Sequence, residues 1–143
     1  MATENVTAVE SSASNETSLG PDGNVVAMIA YLFAPVCGVL VYALEEDNGF
    51  ARYHAAQSIV FGLLVIAVYA TLWTISFVIS VVVGEVPIIG PLLTILVGVI
   101  DAIIMLMVWL AAFLIWLYIV AKAYQGEAVS LPLVTSIAEK HLL

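Results

Sequence analysis

Three uninterrupted apolar runs decide what this chain can become. Val25 to Leu44 is twenty residues without a charge. At ~1.5 Å rise a helix of that length covers about 30 Å, one hydrocarbon thickness. Ser58 to Val83 is a second run, and Ala102 to Ala121 a third. The chain is 64% hydrophobic over 143 residues, with a mean hydropathy of +1.16. A water-soluble domain is nearer to about half apolar. The expectation is an all-α membrane protein with three long transmembrane helices.

The punctuation inside these runs refines that expectation. Pro35 lacks an N–H and crowds the preceding turn, so it should kink the first span. Ala30, Ala34 and Gly38 recur every four residues and would let another helix approach closely. Ser58 and Gly62 repeat the pattern in the second span, which ends at Gly84-Glu85-Val86-Pro87. Leu92 to Ala121 is thirty residues with one charge, Asp101. A straight helix of that length would be ~45 Å, too long for a bilayer without strong tilt. Placing Asp101 at an interface leaves Ala102–Ala121 as the third span and 86–100 as a re-entrant or interfacial segment. The alternative is one tilted helix with Asp101 buried, which costs several kcal/mol for an unpaired carboxylate. Gly90, Thr94, Gly98 and Ala102 form a further small-residue row in either case.

Charge organises the ends. Three Lys or Arg face eleven Asp or Glu, a net charge of −8. Nucleic acid is excluded as a partner, because no basic surface is available to neutralise phosphates. The acidic excess suits either a high-salt environment or an acidic tail. Residues 1–24 carry Glu4, Glu10, Glu16 and Asp22, no Lys or Arg, and no apolar core. They read as a disordered acidic tail and not as a signal peptide. Asn5-Val6-Thr7 and Asn15-Glu16-Thr17 within it have the glycosylation spacing. The division is then a tail (1–24), a transmembrane helical domain (25–126) and a cytoplasmic interfacial tail (127–143). With three spans, Arg52, Lys122 and Lys140 all fall on one side. The positive-inside rule makes that side cytoplasmic and puts the N-terminus outside a multi-pass protein of the cell membrane.

Chemistry-bearing residues are few. Cys37 is the single cysteine, and His54 and His141 are the two histidines. No disulfide, metal site, cofactor or catalytic constellation is expected, and the chain does not read as an enzyme. Polar residues concentrate in Phe50-Ala51-Arg52-Tyr53-His54-Ala55-Ala56-Gln57-Ser58, between two apolar runs. A second segment, Ala123-Tyr124-Gln125-Gly126-Glu127 with Leu131-Pro132-Leu133 and Ile137-Ala138-Glu139-Lys140, follows the last span. The candidate site is a polar cluster of Arg52, His54, Gln57, Glu127 and Glu139, with Arg52 as a bidentate partner of Glu127 or Glu139. The candidate helix-packing residues are Ala30, Ala34, Gly38, Gly62, Gly90 and Gly98.

Together these two segments resemble the Tic-twenty-like family, small prokaryotic membrane proteins related to a subunit of the chloroplast inner-envelope protein translocon. The resemblance covers about residues 25–140 and implies a protein-translocation-associated component. The residues themselves suggest another reading, a structural or interaction protein that assembles membrane complexes through its small-residue faces. Its partners would be the bilayer and either itself or other membrane proteins.

Overall fold

The computed structural model describes residues 7–143. After a helical turn at 7–10 come α1 (Gly23–Ala30), α2 (Val36–Leu44), α3 (Gly49–Gly84), α4 (Gly90–Tyr124) and α5 (Pro132–His141). The all-α membrane class holds, but the count of spans does not. Among the described residues, two helices are long and apolar enough to cross a membrane, Gly49–Gly84 and Gly90–Tyr124. The chain folds as two compact units: residues up to Leu64 with Trp116–Leu143, and Val65–Ile115.

The expected first span is broken. Five residues, 31–35, separate α1 from α2, and the Ala34–Pro35 bond is cis. Pro35 does more than kink the helix, since it has no N–H to continue the ladder. Each piece, of 8 and 9 residues, would cover only about 12–14 Å. They pack on each other and on α3 through Val26, Ala30, Val41, Ala51 and Ala55.

The expected re-entrant piece is equally absent. Residues 90–124 form one helix with Asp101 inside it. Pro91 lies in the first turn, where a missing N–H costs nothing. Asp101 is half-buried and has a partner there, since Ser76 Oγ donates to its Oδ1. The turn between α3 and α4 requires Gly90, because a Cβ there would lie 2.5 Å from the Gly84 carbonyl oxygen. Ile88, at the tip, is 98% exposed and has φ +69°, a conformation β-branched residues rarely adopt.

The N-terminal segment is also ordered from residue 7 onward, correcting the disordered tail. Residues 1–6, and most of Asn5-Val6-Thr7, lie outside the described residues. Ala13 and Thr17 are buried. Asn24 N–H donates to Ala13 C=O at 2.8 Å, and Gly23 N–H to Asn15 C=O at 2.9 Å. Asn15-Glu16-Thr17 sits in a turn whose Thr17 hydroxyl donates to Pro21 C=O at 2.7 Å. The segment has no core of its own, but it needs none. Side chain to backbone bonds join it to the rest of the unit: Asn48 Nδ2 donates to Ser12 C=O, and Glu10 Oε1 accepts from Ala128 N–H.

Candidate functional site

The first turn of α3 is assembled by polar groups that precede it. Asn48 caps it, its Oδ1 accepting from Ala51 N–H at 3.1 Å. Glu45 is fully buried, and its Oε1 accepts from the N–H groups of Ser18, Asp47 and Asn48. Ser18 Oγ donates to Oε2 at 2.9 Å. Burial alone pushes this carboxyl up, but the donors of Asn48, Ser18 and Asp47 together outweigh it and hold Glu45 below its ordinary value. A carboxylate here also faces the positive end of α3.

Beyond the cap, Phe50, Tyr53, His54, Gln57 and Ser58 follow helical spacing and share one side of α3. His54, Gln57 and Ser58 are all buried. His54 Nε2 lies 3.2 Å from Glu127 C=O, and Nδ1 lies 3.2 Å from Tyr31 OH. A carbonyl can only accept, so Nε2 carries the proton and Nδ1 accepts from Tyr31. The rings of Phe50, Tyr53 and Tyr31 meet the imidazole edge-on, at 4.5, 5.5 and 5.9 Å. Gln57 Nε2 donates to Val129 C=O at 2.8 Å and to Thr135 Oγ1 at 3.1 Å. Tyr53 OH adds a bond to Val129 C=O at 3.3 Å. Ser58 Oγ donates to Ala30 C=O at 2.6 Å.

This arrangement holds chain segments together. The acceptors are the backbone carbonyls of residues 30, 127 and 129 and the Thr135 hydroxyl, from two segments distant in sequence. Buried polar groups satisfied in this way fix one arrangement of the chain. No nucleophile stands beside a free base in it, and both nitrogens of His54 are engaged.

The five residues of the expected cluster therefore part company. His54 and Gln57 meet the C-terminal segment, and Glu127 joins them through its carbonyl. Arg52 turns away: Nη1 donates to Glu45 C=O at 2.7 Å, and the guanidinium lies 4.7 Å from the centre of the Tyr42 ring. The Glu127 carboxylate pairs with Lys122 at the surface. Glu139 is exposed on α5. The bidentate pair of Arg52 with Glu127 or Glu139 is thus not formed. Arg52 sits beside a nearer carbonyl, and Lys122 is one turn from Glu127.

The packing residues divide similarly. A Cβ on Gly38 would meet Ser58 Oγ at 2.8 Å, and one on Gly62 would meet Pro35 N at 2.5 Å. Ala30 is buried and Ala34 half-buried in the same unit. Gly90 serves the turn, while Gly98 has nothing within 4 Å. Reading the sequence alone missed Tyr31, Asn48 and Thr135, and took Ser58 for a small packing residue. The available signal was helical spacing of Phe50, Tyr53, His54, Gln57 and Ser58, which marks one side of a helix as polar and inward.

In the second unit, Val65, Ile66, Tyr69, Ala70, Trp73, Asp101 and Met105 line an open groove of about 680 Å³. The Tyr69 hydroxyl is buried without a hydrogen-bond partner among the described residues. No group of three or more His, Cys, Asp or Glu placed to hold a metal ion occurs among the described residues.

Residues 22–138 match the profile of the MamF/MmsF family, described as a magnetosome magnetite crystal formation protein family. A UPF0132 membrane protein of Methanocaldococcus jannaschii is 32% identical over 126 residues, 88% of this chain and 94% of the relative. A UPF0132 membrane protein of Archaeoglobus fulgidus is 32% identical over 119 residues, 83% of this chain and 94% of the relative. A second protein of that kind from M. jannaschii is 27% identical over 87% of this chain and 73% of its own length. No solved structure matches the chain. The resemblance to the Tic-twenty-like family is corrected by these matches. It rested on short polar motifs between apolar runs.

Proposed function

The chain belongs to the MamF/MmsF family of membrane proteins, and from that premise we propose that it is a non-catalytic structural protein of the membrane. The observation that carries this reading is the fate of the Phe50–Ser58 motif. Its buried polar side chains, the richest chemistry in the sequence, are engaged in bonds that tie the chain to itself. What is left for partners is surface. The outer sides of α3 and α4 carry exposed Trp73, Phe77, Leu92, Leu96, Ile103 and Leu106. Gly98 offers an open place where a second helix can approach.

The test is assembly in native membranes. Gly98→Cys in a Cys37→Ala background should cross-link to a second helix under mild oxidation, and blue-native sizing should show an assembly larger than the monomer. A strict monomer with no cross-linked neighbour would refute the proposal.

For orientation, we place residues 7–24 and the C-terminal segment together in the cytoplasm. Arg52, Lys122 and Lys140 all belong to the first unit, and the two segments are joined by the Glu10 to Ala128 bond. The bond supports one side for both segments, in place of an N-terminus outside and a C-terminus inside. Single cysteines at Ser14 and Ser136 should both be protected from a membrane-impermeant thiol reagent on intact cells. Labelling of both would invert the orientation, and labelling of one would break the pairing of the two ends.

A further inference from the structure

The run Val25–Leu44 is long enough to cross a membrane but is broken at 31–35 into two short helices. We propose that α1 and α2 form a re-entrant hairpin, entering one leaflet and returning to the side from which it came, with lipid acyl chains covering its outer side.

The contacts rank in levels along α3. Gly23 lies against Asn48, just ahead of α3. Val26 and Val41 share a cluster with Ala51 and Ala55. Ala30 C=O and Gly38 both meet Ser58, one turn further on. Ala34 and Pro35 meet Gly62, at the level of the tip. The two short helices therefore run antiparallel, and both open ends lie beside the start of α3. From Gly49 to Gly62 is 13 residues, or about 20 Å along the helix. That falls short of the ~30 Å hydrocarbon core.

Two independent features identify lipid as the occupant. The first is the outer side itself. Leu32, Phe33, Val36, Val39, Leu40 and Leu44 are exposed, Phe33 at 76%. Such a contiguous apolar patch does not face water in a soluble protein. The second is the backbone. Breaking a helix frees carbonyls, and within a bilayer these must be satisfied by protein. Ser58 Oγ donates to Ala30 C=O and Trp116 Nε1 to Tyr31 C=O, at 2.6 and 2.8 Å. The polar groups freed at the break are turned inward while apolar side chains are turned out.

The experiment uses the full chain with Cys37→Ala and single cysteines. Ser14→Cys and Glu46→Cys flank the hairpin, and Glu85→Cys marks the turn between α3 and α4. In sealed vesicles, an impermeant maleimide should reach 14 and 46 from one side and 85 from the other. Spin labels on Phe33→Cys and Val36→Cys, with the protein in phospholipid vesicles, should collide with oxygen and be shielded from a water-soluble nickel chelate. Labelling of 14 and 46 from opposite sides would overturn the proposal in favour of a full span. Access of the nickel chelate to 33 and 36 would place the tip in water and overturn it too. Shielding from both reagents would show a protein partner, or a second copy, in place of lipid.

Discussion

Two stretches of α3 make an instructive pair. Residues 50–62 are buried or half-buried throughout, whereas from Val65 to Gly84 one stripe is covered and the rest of the surface is exposed. Both belong to one helix long enough to cross a membrane, but its apolar, exposed part is the second stretch. The first stretch spends its polar side chains on carbonyls of other segments and accepts close contacts at Ser58 and Gly62. The second turns Tyr69, Leu72, Ser76, Ser80 and Val83 toward cover and exposes Leu63, Ile66, Trp73 and Phe77 nearby or within it. The first is the more polar, with Arg52, His54, Gln57 and Ser58. Its polar residues at helical spacing have backbone of other segments to hold, and those of the second do not.

The contrast can be broken most forcefully by one substitution made in each unit. Gly62→Leu should destabilise by about 3 kcal/mol or more, because the added atoms meet Pro35 N and Ala34 C below 3 Å. Gly98→Leu meets nothing within 4 Å and should stay within about 0.5 kcal/mol of the parent. Detergent unfolding followed by circular dichroism measures both. Equal effects would erase the distinction.

A smaller effect is expected at Glu45. Glu45→Gln should cost about 1–2 kcal/mol at neutral pH, since a charged acceptor is replaced by a neutral one. The folded carboxyl titrates below its ordinary value of 4.5. Its stabilisation is therefore complete above that value and is lost as the pH falls through the lowered one. The difference between parent and Glu45→Gln should shrink over that acid window. A difference independent of pH would show that the donors of Ser18, Asp47 and Asn48 do not recognise its charge.

Smallest is the second unit's own polar contact. Ser76→Ala removes the donor to Asp101. Hydrogen bonds between membrane helices average about 0.6 kcal/mol, and the same unfolding assay should register a loss of that order. A loss as large as that of Gly62→Leu would mean that the second unit also depends on a polar tie.

Much of the helical skeleton was legible. The apolar run to Val83 and the break at Gly84–Pro91 lie where α3 ends and α4 begins. The hairpin was not, because twenty apolar residues satisfy the length criterion whether or not they fold back, and Pro35 signals a kink and a turn alike. Asp101 was misread for a different reason. Its cost was assessed without a partner, and Ser76 is twenty-five residues away in sequence. The candidate site was half legible. The Phe50–Ser58 motif is the centre of the first unit, yet charge drew attention to Arg52, Glu127 and Glu139, while the bonds are made by His54, Gln57 and Ser58 to backbone carbonyls. A carbonyl partner leaves no trace in residue identity.

The central claim is that this motif binds the chain to itself, and a double-mutant cycle on Gln57 and Thr135 tests it most directly. The two side chains bond at 3.1 Å across 78 residues of sequence. Gln57→Leu and Thr135→Val should each destabilise, and together they should cost less than their sum, with a coupling of about 0.5–3 kcal/mol. Strict additivity would contradict the account, because it would leave Gln57 with no hold on the C-terminal segment through Thr135.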